Sequence, residues 1–447
     1  MITYSIIQKS QLEGGLRMDA EYYQQEYLEV IENLNTLGAV SIREVAVNPK
    51  RKFQPQKSEI FQYIEISEVD LSTGEYNKLE ILGESAPDRA QWIVQLGDIV
   101  ISTVRPIRNA VSLITEDSKN LVCSSGFAVL KAEKVEPEYL FVYLKSRPIV
   151  ELLDRKTTAT MYPAVTVDDI LNTKIYLGDE NFREEIKGKV IEAQNELEYS
   201  KSLYSQAENL LLEELGLKDF KVEDYLSYIV NLSEVKSTHR ADAEYFQPKY
   251  DKLISKIKNQ NAKMLGDLTS MKKGIEPGGD VYQDGGKLFI RVSSVSKQGL
   301  IDKDQKYLSN ELYQNLKNNF EPEIGEILLT KDATPGIAYV LKEKVEGVVS
   351  SGIMRLKLKE DVESEYLSLC INSVIGKMQI ERDSGGSIIE HWKPEQIKNL
   401  QIPILSKSVQ QKIADLVQKS HKARKKANEL LEAAKKTIEI AIENNKK

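Results

Sequence analysis

Arg17-Met-Asp-Ala-Glu-Tyr-Tyr-Gln24 is answered by Arg240-Ala-Asp-Ala-Glu-Tyr-Phe-Gln247 at an offset of 223. Outward from this pair the correspondence continues in order. Tyr63-Ile-Glu-Ile-Ser-Glu-Val-Asp70 matches Phe289-Ile-Arg-Val-Ser-Ser-Val-Ser296 at an offset of 226. Gly97-Asp-Ile-Val-Ile-Ser-Thr103 matches Gly325-Glu-Ile-Leu-Leu-Thr-Lys331 at 228, and Val122-Cys-Ser-Ser-Gly126 matches Val348-Val-Ser-Ser-Gly352 at 226. Glu138-Tyr-Leu140 and Glu365-Tyr-Leu367 stand 227 apart, as do Asp169-Ile-Leu-Asn-Thr-Lys-Ile175 and Gln396-Ile-Lys-Asn-Leu-Gln-Ile402. A near-constant offset through ordered matches means two copies of one unit.

Each copy reads as a mixed α/β domain. In the first, Asp19 is placed to cap a helical run from Tyr22 to Leu34. Phe61-Gln-Tyr-Ile-Glu-Ile alternates as a strand, and Asp98-Ile-Val-Ile-Ser-Thr and Gly126-Phe-Ala-Val-Leu are short β-branched or apolar runs. Tyr139 to Leu144 and Glu365 to Met378 read as short helices. Each copy then closes on a long helix. Ile186, Val190, Ala193, Leu197, Ser200, Tyr204, Ala207 and Leu211 alternate spacings of four and three. The same ladder recurs in the second copy, from Ile413 through Ile438 to Ala441. A sustained heptad needs a partner to bury its seam, and two equal seams in one chain most simply bury each other. Gly188 alone interrupts Phe182 to Leu215, and ~35 residues of helix span ~50 Å. The competing reading is a pair of ordinary core helices.

Composition narrows the class. The 447 residues correspond to about three domains. Hydrophobic residues at 41% and charged residues at 29% suit a soluble globular chain. With a net charge of -7, any nucleic-acid surface must be local. Cys123 and Cys370 cannot form a disulfide framework, and His239, His391 and His421 have no neighbouring Cys or His to complete a metal site. The start lacks a basic stretch followed by an apolar core. No apolar run is as long as a membrane-spanning helix requires. A cytoplasmic protein without membrane contact is therefore expected.

Two similar heads held apart by paired helices suit a ligand with two sites at fixed spacing, such as duplex DNA, whose groove repeats every ~34–36 Å. The residues resemble the specificity subunit of type I restriction–modification systems. The carriers are Gly97 to Thr103, Cys123-Ser-Ser-Gly-Phe-Ala-Val-Leu130 and Pro137-Glu-Tyr-Leu140 in the first copy. In the second they are Gly325 to Thr330, Ser350-Ser-Gly352 and Ile397-Lys-Asn-Leu-Gln-Ile-Pro403, with Gln410 or Gln411 leading into the helix. The first copy departs from the family at Ile175-Tyr-Leu-Gly and at Arg183 or Glu184, where a Gln is usual. The resemblance implies two α/β target-recognition domains related by a pseudo-twofold, separated by two long antiparallel coiled-coil helices. The expected division is 1–180 for the first recognition domain, 181–216 for the first helix, 217–406 for a linker and the second recognition domain, and 407–447 for the second helix. It further implies double-stranded DNA as ligand, two modification (methyltransferase) subunits docked on the helices, and restriction (endonuclease/translocase) subunits in the complex. S-adenosylmethionine would sit on the modification subunits, and this chain would carry no cofactor.

Base edges are read by side chains with paired donors and acceptors, phosphates by Arg, Lys, Ser and Thr. Three places qualify. The loop after the Gly-Asp-Ile strand offers Thr103, Arg105, Arg108 and Asn109, and its counterpart offers Lys331 and Thr334. The loop before the last strand offers Thr158, Thr160 and Tyr162, answered by Ser387, His391 and Lys393. Near the start of each copy, Arg51 and Lys52, and Lys273, suit phosphate. For each the competing reading is a solvated loop group, and for His391 and Trp392 plain packing. The run Lys422-Ala-Arg-Lys-Lys426 reads as a solvated helix face or an ion-pair surface.

No Asn-Pro-Pro-Tyr or Asp-Pro-Pro-Tyr motif and no phosphate-binding Gly-rich loop occurs. The two Ser-Ser-Gly sites have no His nearby and read as strand or turn elements rather than nucleophiles. A non-catalytic recognition subunit is therefore expected. The alternative is an adaptor that bridges two identical protein partners without DNA.

Overall fold

A computed structural model describes residues 5–9, 12, 17–157, 161–220, 223–301, 305–384 and 391–443. The chain divides into two units. One is Met1–Glu196 with Lys425–Lys447, the other Leu197–Arg424.

In the first unit α1 (Gln25–Thr36) follows a 3-10 turn over Ala20–Tyr23. Asp19 does not cap it. Its carboxylate is taken by Arg17 Nε at 2.6 Å. The sheets use β1 (Ile60–Ile64), β2 (Asp98–Ser102), β3 (Val111–Leu113), β4 (Leu121–Ser124) and β5 (Phe127–Ala132). An antiparallel sheet runs Ala46–Val47, β5, β2, β3, and a second runs Leu79–Leu82, β1, β4, Ala90–Ile93, with β1 and β4 parallel. Helices α2 (Pro137–Lys145) and α3 (Arg147–Arg155) follow, then α4 (Glu180–Glu214). Every residue of β2 is buried, as befits an apolar run in the middle of a sheet.

The second unit repeats this. After α5 (Pro248–Lys258) come β6 (Thr269–Lys273), β7 (Lys287–Ile290), β8 (Ile327–Thr330), β9 (Ala338–Val340), β10 (Gly347–Val349) and β11 (Ile353–Leu358). The sheet order β6-β11-β8-β9 matches the first sheet of the other unit, and β7 pairs parallel with β10 as β1 does with β4. Even the register agrees. Ile99 faces Leu130 as Ile327 faces Leu356, and Tyr63 faces Val122 as Phe289 faces Val348. The run read as one helix from Glu365 is two, α6 (Ser364–Asn372) and α7 (Val374–Asp383). The break falls at Ser373, whose hydroxyl donates to Cys370 O at 2.9 Å. Ser146 does the same to Tyr143 O at 2.7 Å between α2 and α3. The chain ends on α8 (Lys407–Glu443).

The turn entering the central strand explains the Gly-Asp/Glu signature. Gly97 and Gly325 sit at φ +83 and +88, where a side chain is strained. The carboxylate that follows accepts a backbone N–H three positions earlier: Gln95 to Asp98 at 2.7 Å, Glu323 to Glu326 at 2.9 Å.

Both long helices take part in both units. In the first, Lys189 Nζ donates to Thr437 Oγ1 at 3.2 Å, and Lys426 Nζ lies 2.8 Å from both Glu192 and Glu196. In the second, Ser200 and Ser420 meet with Oγ atoms 3.0 Å apart. Rising numbers on α4 meet falling numbers on α8, so the pairing within each unit is antiparallel. Ile186, Val190, Ala193, Ala207 and Leu211 are fully buried, as are Ile413, Ala427, Ala434 and Ile438. Within the run 422–426, Lys426 serves as an ion-pair group. The helix entries also correspond. Gln410 Oε1 accepts from Glu363 N–H at 3.1 Å. Arg183, its counterpart in the first copy, pairs with the Glu136 side chain at 3.2 Å. Arg183 thus keeps the link by exchanging a backbone bond for a side-chain ion pair.

Candidate nucleic-acid interface

Two of the three candidate segments come together in each unit, by the same backbone bonds. Strand β2 runs into Thr103, whose N–H donates to Gly126 O at 2.8 Å and whose carbonyl accepts from Val165 N–H at 2.9 Å. Strand β8 runs into Lys331, whose N–H donates to Gly352 O at 2.9 Å and whose carbonyl accepts from Trp392 N–H at 2.8 Å. Isolated antiparallel bridges Val104–Ala164 and Asp332–His391 complete the correspondence. Next in each loop, Arg105 at φ +50 and Ala333 at φ +61 take the left-handed conformation. Strained loops positioned by a rigid scaffold are where binding chemistry concentrates.

In the first unit Arg105 N–H donates to Pro163 O at 2.7 Å, and its guanidinium carbon lies 5.5 Å from the centre of the Tyr162 ring. Tyr162 is 64% exposed and Met161 77%. Arg108 is exposed on the same loop. A planar cation beside an exposed aromatic face presents both hydrogen-bond donors and a stacking surface. Thr103 is half-buried, its hydroxyl donating to Gly126 O at 2.9 Å. Asn109, at φ +58, is turned inward, and its Nδ2 donates to Lys145 O at 2.9 Å. That amide is used inside the unit rather than offered to a base.

In the second unit Asp332 is the hub. Lys331 Nζ lies 2.6 Å from Oδ2 and His391 Nδ1 2.8 Å from Oδ1. Burial pushes the Asp332 carboxyl up, but the Lys331 ammonium and the His391 imidazole outweigh it and hold it below the usual carboxylate range. Lys331 is nearly buried, so its amine is committed to Asp332. His391 remains exposed on its outer side, and Trp392 is packed in the core. Thr334 and Lys393 are exposed. Thr158, Thr160 and Ser387 lie outside the described residues.

The basic residues near the start of each copy behave differently. Arg51 pairs with Asp98 and also donates to Gln95 Oε1 at 2.8 Å and Ile93 O at 3.3 Å. Asp98 opens β2 whereas the candidate loop leaves its far end, about 13 Å away at ~3.3 Å per residue. Arg51 is therefore a strand-entry contact, apart from the loop pair. Lys52 is exposed beside it, bridged through its backbone to Trp92. Lys273 is exposed and closes β6 in the row of Met354 and Leu329, at the same end of the sheet as Lys331.

Reading the sequence missed Asp332, which lay within a quoted loop but has the wrong charge for DNA. It also missed Lys145, a lysine on an apolar helix that is buried under the loop. Among the described residues no group of three or more His, Cys, Asp and Glu is poised for a metal ion, and no helix is long and apolar enough to cross a membrane.

Residues 257–436 match the family described as the type I restriction modification DNA specificity domain. The type I restriction enzyme HindI specificity subunit of Haemophilus influenzae is 24% identical over 159 residues, 35% of this chain. That match spans about a third, 32%, of the relative's length. The HsdS subunit from Thermoanaerobacter tengcongensis aligns over 91% of this chain and 96% of its own at 21% identity and a TM-score of 0.34. The type I restriction–modification S subunit from M. genitalium aligns over 90% and 94% at 12% identity and a TM-score of 0.37. Residues 257–436 thus carry the type I restriction modification DNA specificity domain, and the same strands, registers and helix breaks occur ahead of it.

Proposed function

We propose that the chain is the DNA-reading subunit of a type I complex, each unit recognising one part of a split duplex sequence. The supporting observation is the duplicated loop pair, fastened by equivalent bonds in both units but carrying different side chains. Arg105 stands where the second copy has Ala333, and Ala164 where it has His391. One scaffold with two different surfaces suits two different half-sites. The helices α4 and α8, which run through both units, would set the spacing and dock two modification subunits. Those subunits would carry S-adenosylmethionine and the methyl-transfer chemistry, and restriction subunits would cut. The chain's net charge of -7 agrees with contacts confined to the loops.

The test is selection from a pool of randomised duplexes by the full chain with its modification subunit. A split motif with a fixed gap is expected, and no enrichment overturns the reading. The duplication and acidic balance also suit an adaptor that bridges two copies of a protein. Arg105→Ala separates the two. A DNA reader loses ~1–3 kcal/mol if that contact is bidentate to a base, while an adaptor assembles unchanged.

A further inference from the structure

In each unit the last residue of the first paired helix reaches the outgoing end of the loop that leaves the central strand. Lys145 ends α2 and is buried. Its carbonyl accepts from Asn109 Nδ2 at 2.9 Å, while its Nζ donates to Leu71 O at 2.9 Å and to Asn109 O at 3.4 Å. Asn372, its counterpart in the second copy, ends α6 and is buried too. Its Nδ2 donates to Ala338 O at 2.8 Å and its Oδ1 accepts from Ala338 N–H at 3.0 Å.

Asn109 lies two residues before β3, where the loop turns back, and Ala338, the counterpart of Val111, opens β9. The incoming ends are fixed by the ladders of β2 and β8, and the outgoing ends are tied to the same strands by Ser102 N–H to Ala110 O and Thr330 N–H to Ile337 O, each at 2.9 Å. The helix-terminal residue adds a side-chain anchor at that outgoing end. Left-handed residues such as Arg105 and Asn109 persist only where the surroundings over-determine them. A residue needed merely to fill the core would be apolar at this depth. Both positions instead bury polar groups, and those groups bond to the loop. The chemistry differs between copies, an amine in one and an amide in the other, so the two loops are held differently on a common scaffold.

We propose that Lys145 and Asn372 are positioning residues for recognition, each setting the loop of its own unit and so the selectivity for its own half of the target. This rests on the DNA reading above. The test repeats the duplex selection with the full chain and its modification subunit. Lys145→Met is expected to relax one half of the motif at least tenfold and leave the other half unchanged. Asn372→Ala is expected to relax the opposite half. If Lys145→Met does not fold, Lys145→Gln, which keeps a donor, carries the same expectation at a smaller fold-change. Equal weakening of both halves, or an unchanged motif from both variants, overturns the positioning role while leaving DNA reading intact. A wild-type chain that enriches nothing overturns both.

Discussion

The Ser420 hydroxyl donates to the Ser200 carbonyl at 2.7 Å, and the two Oγ atoms lie 3.0 Å apart. This buried contact joins α4 to α8 in the second unit. Carried through the repeat, the same two places hold Ala427 and Ala193, both fully buried in the first unit. Small buried residues thus recur at these places of the repeat. Ser420→Ala alone should cost about 1 kcal/mol through the lost hydrogen bond. The double change Ser200→Ala with Ser420→Ala, which copies the other unit, should come close to neutral. Ser420→Leu should cost ~1–3 kcal/mol by overpacking. Urea unfolding of the full chain orders these variants, and a harmless leucine would contradict the close approach.

The buried pair Arg355–Glu326 pins the entry of β8. Its guanidinium makes two bonds to the carboxylate, at 2.7 and 3.0 Å, and Arg355 also donates to Asn319 O at 2.9 Å. Glu326→Ala would leave a buried cation uncompensated, at ~3–5 kcal/mol. Replacing both partners by apolar residues should cost far less. Chemical denaturation of the single and double variants gives the coupling, and additive effects would show that the pair is not a unit.

Asp332 fastens the second unit's loop pair. Its carboxyl titrates below its usual range, so the stabilisation is present above the ordinary carboxylate pKa and is lost as pH falls through the lowered value. Asp332→Asn should remove that acid-side dependence and loosen the loop by ~1–3 kcal/mol, since Lys331 loses its charged partner. Hydrogen exchange at Trp392 N–H, which bonds Lys331 O, reports it. Unchanged protection would contradict the role of the hub.

Lys145 predicts the opposite pH sense. Burial pushes its ammonium down to about 7, and the nearby Lys435 charge adds to this, against weaker help from Asp70 and Glu432. A cation with a depressed pKa penalises the folded state fully below that value. The penalty is relieved as pH rises toward the ordinary lysine value, by on the order of 1 kcal/mol per pH unit. Lys145→Met should therefore gain on wild type at pH 6, and that advantage should shrink steadily between pH 7 and pH 9. A pH-independent difference in melting temperature would show that the amine stays charged.

Much of the fold was legible because its signals are local or periodic. The repeat revealed the two units, the 4-3 ladder the helix pair, and the Gly-Asp turn the central strand. The single helix expected from Glu365 failed at Ser373, where a serine side-chain cap ends one helix and starts another without glycine or proline. Asp19 failed as a cap because Arg17, two positions away, took its carboxylate. The candidate site was half legible. Loop position could be read from strand ends, and two loops of each copy do meet. Which polar groups face outward could not. Arg51, Asn109 and Lys331 carry the right donors for DNA, but Asp98, the Lys145 carbonyl and Asp332 take them up. The first two contacts join segments far apart in the chain, which no local pattern announces, and the third joins neighbours of opposite charge.

The most direct test of a duplicated reader is footprinting, at base-pair resolution and fixed salt, of the full chain with its modification subunit on the duplex that selection enriches. Two protected blocks of different sequence, divided by a gap whose sequence does not matter, are the expected result. One continuous block, or no protection, would contradict it.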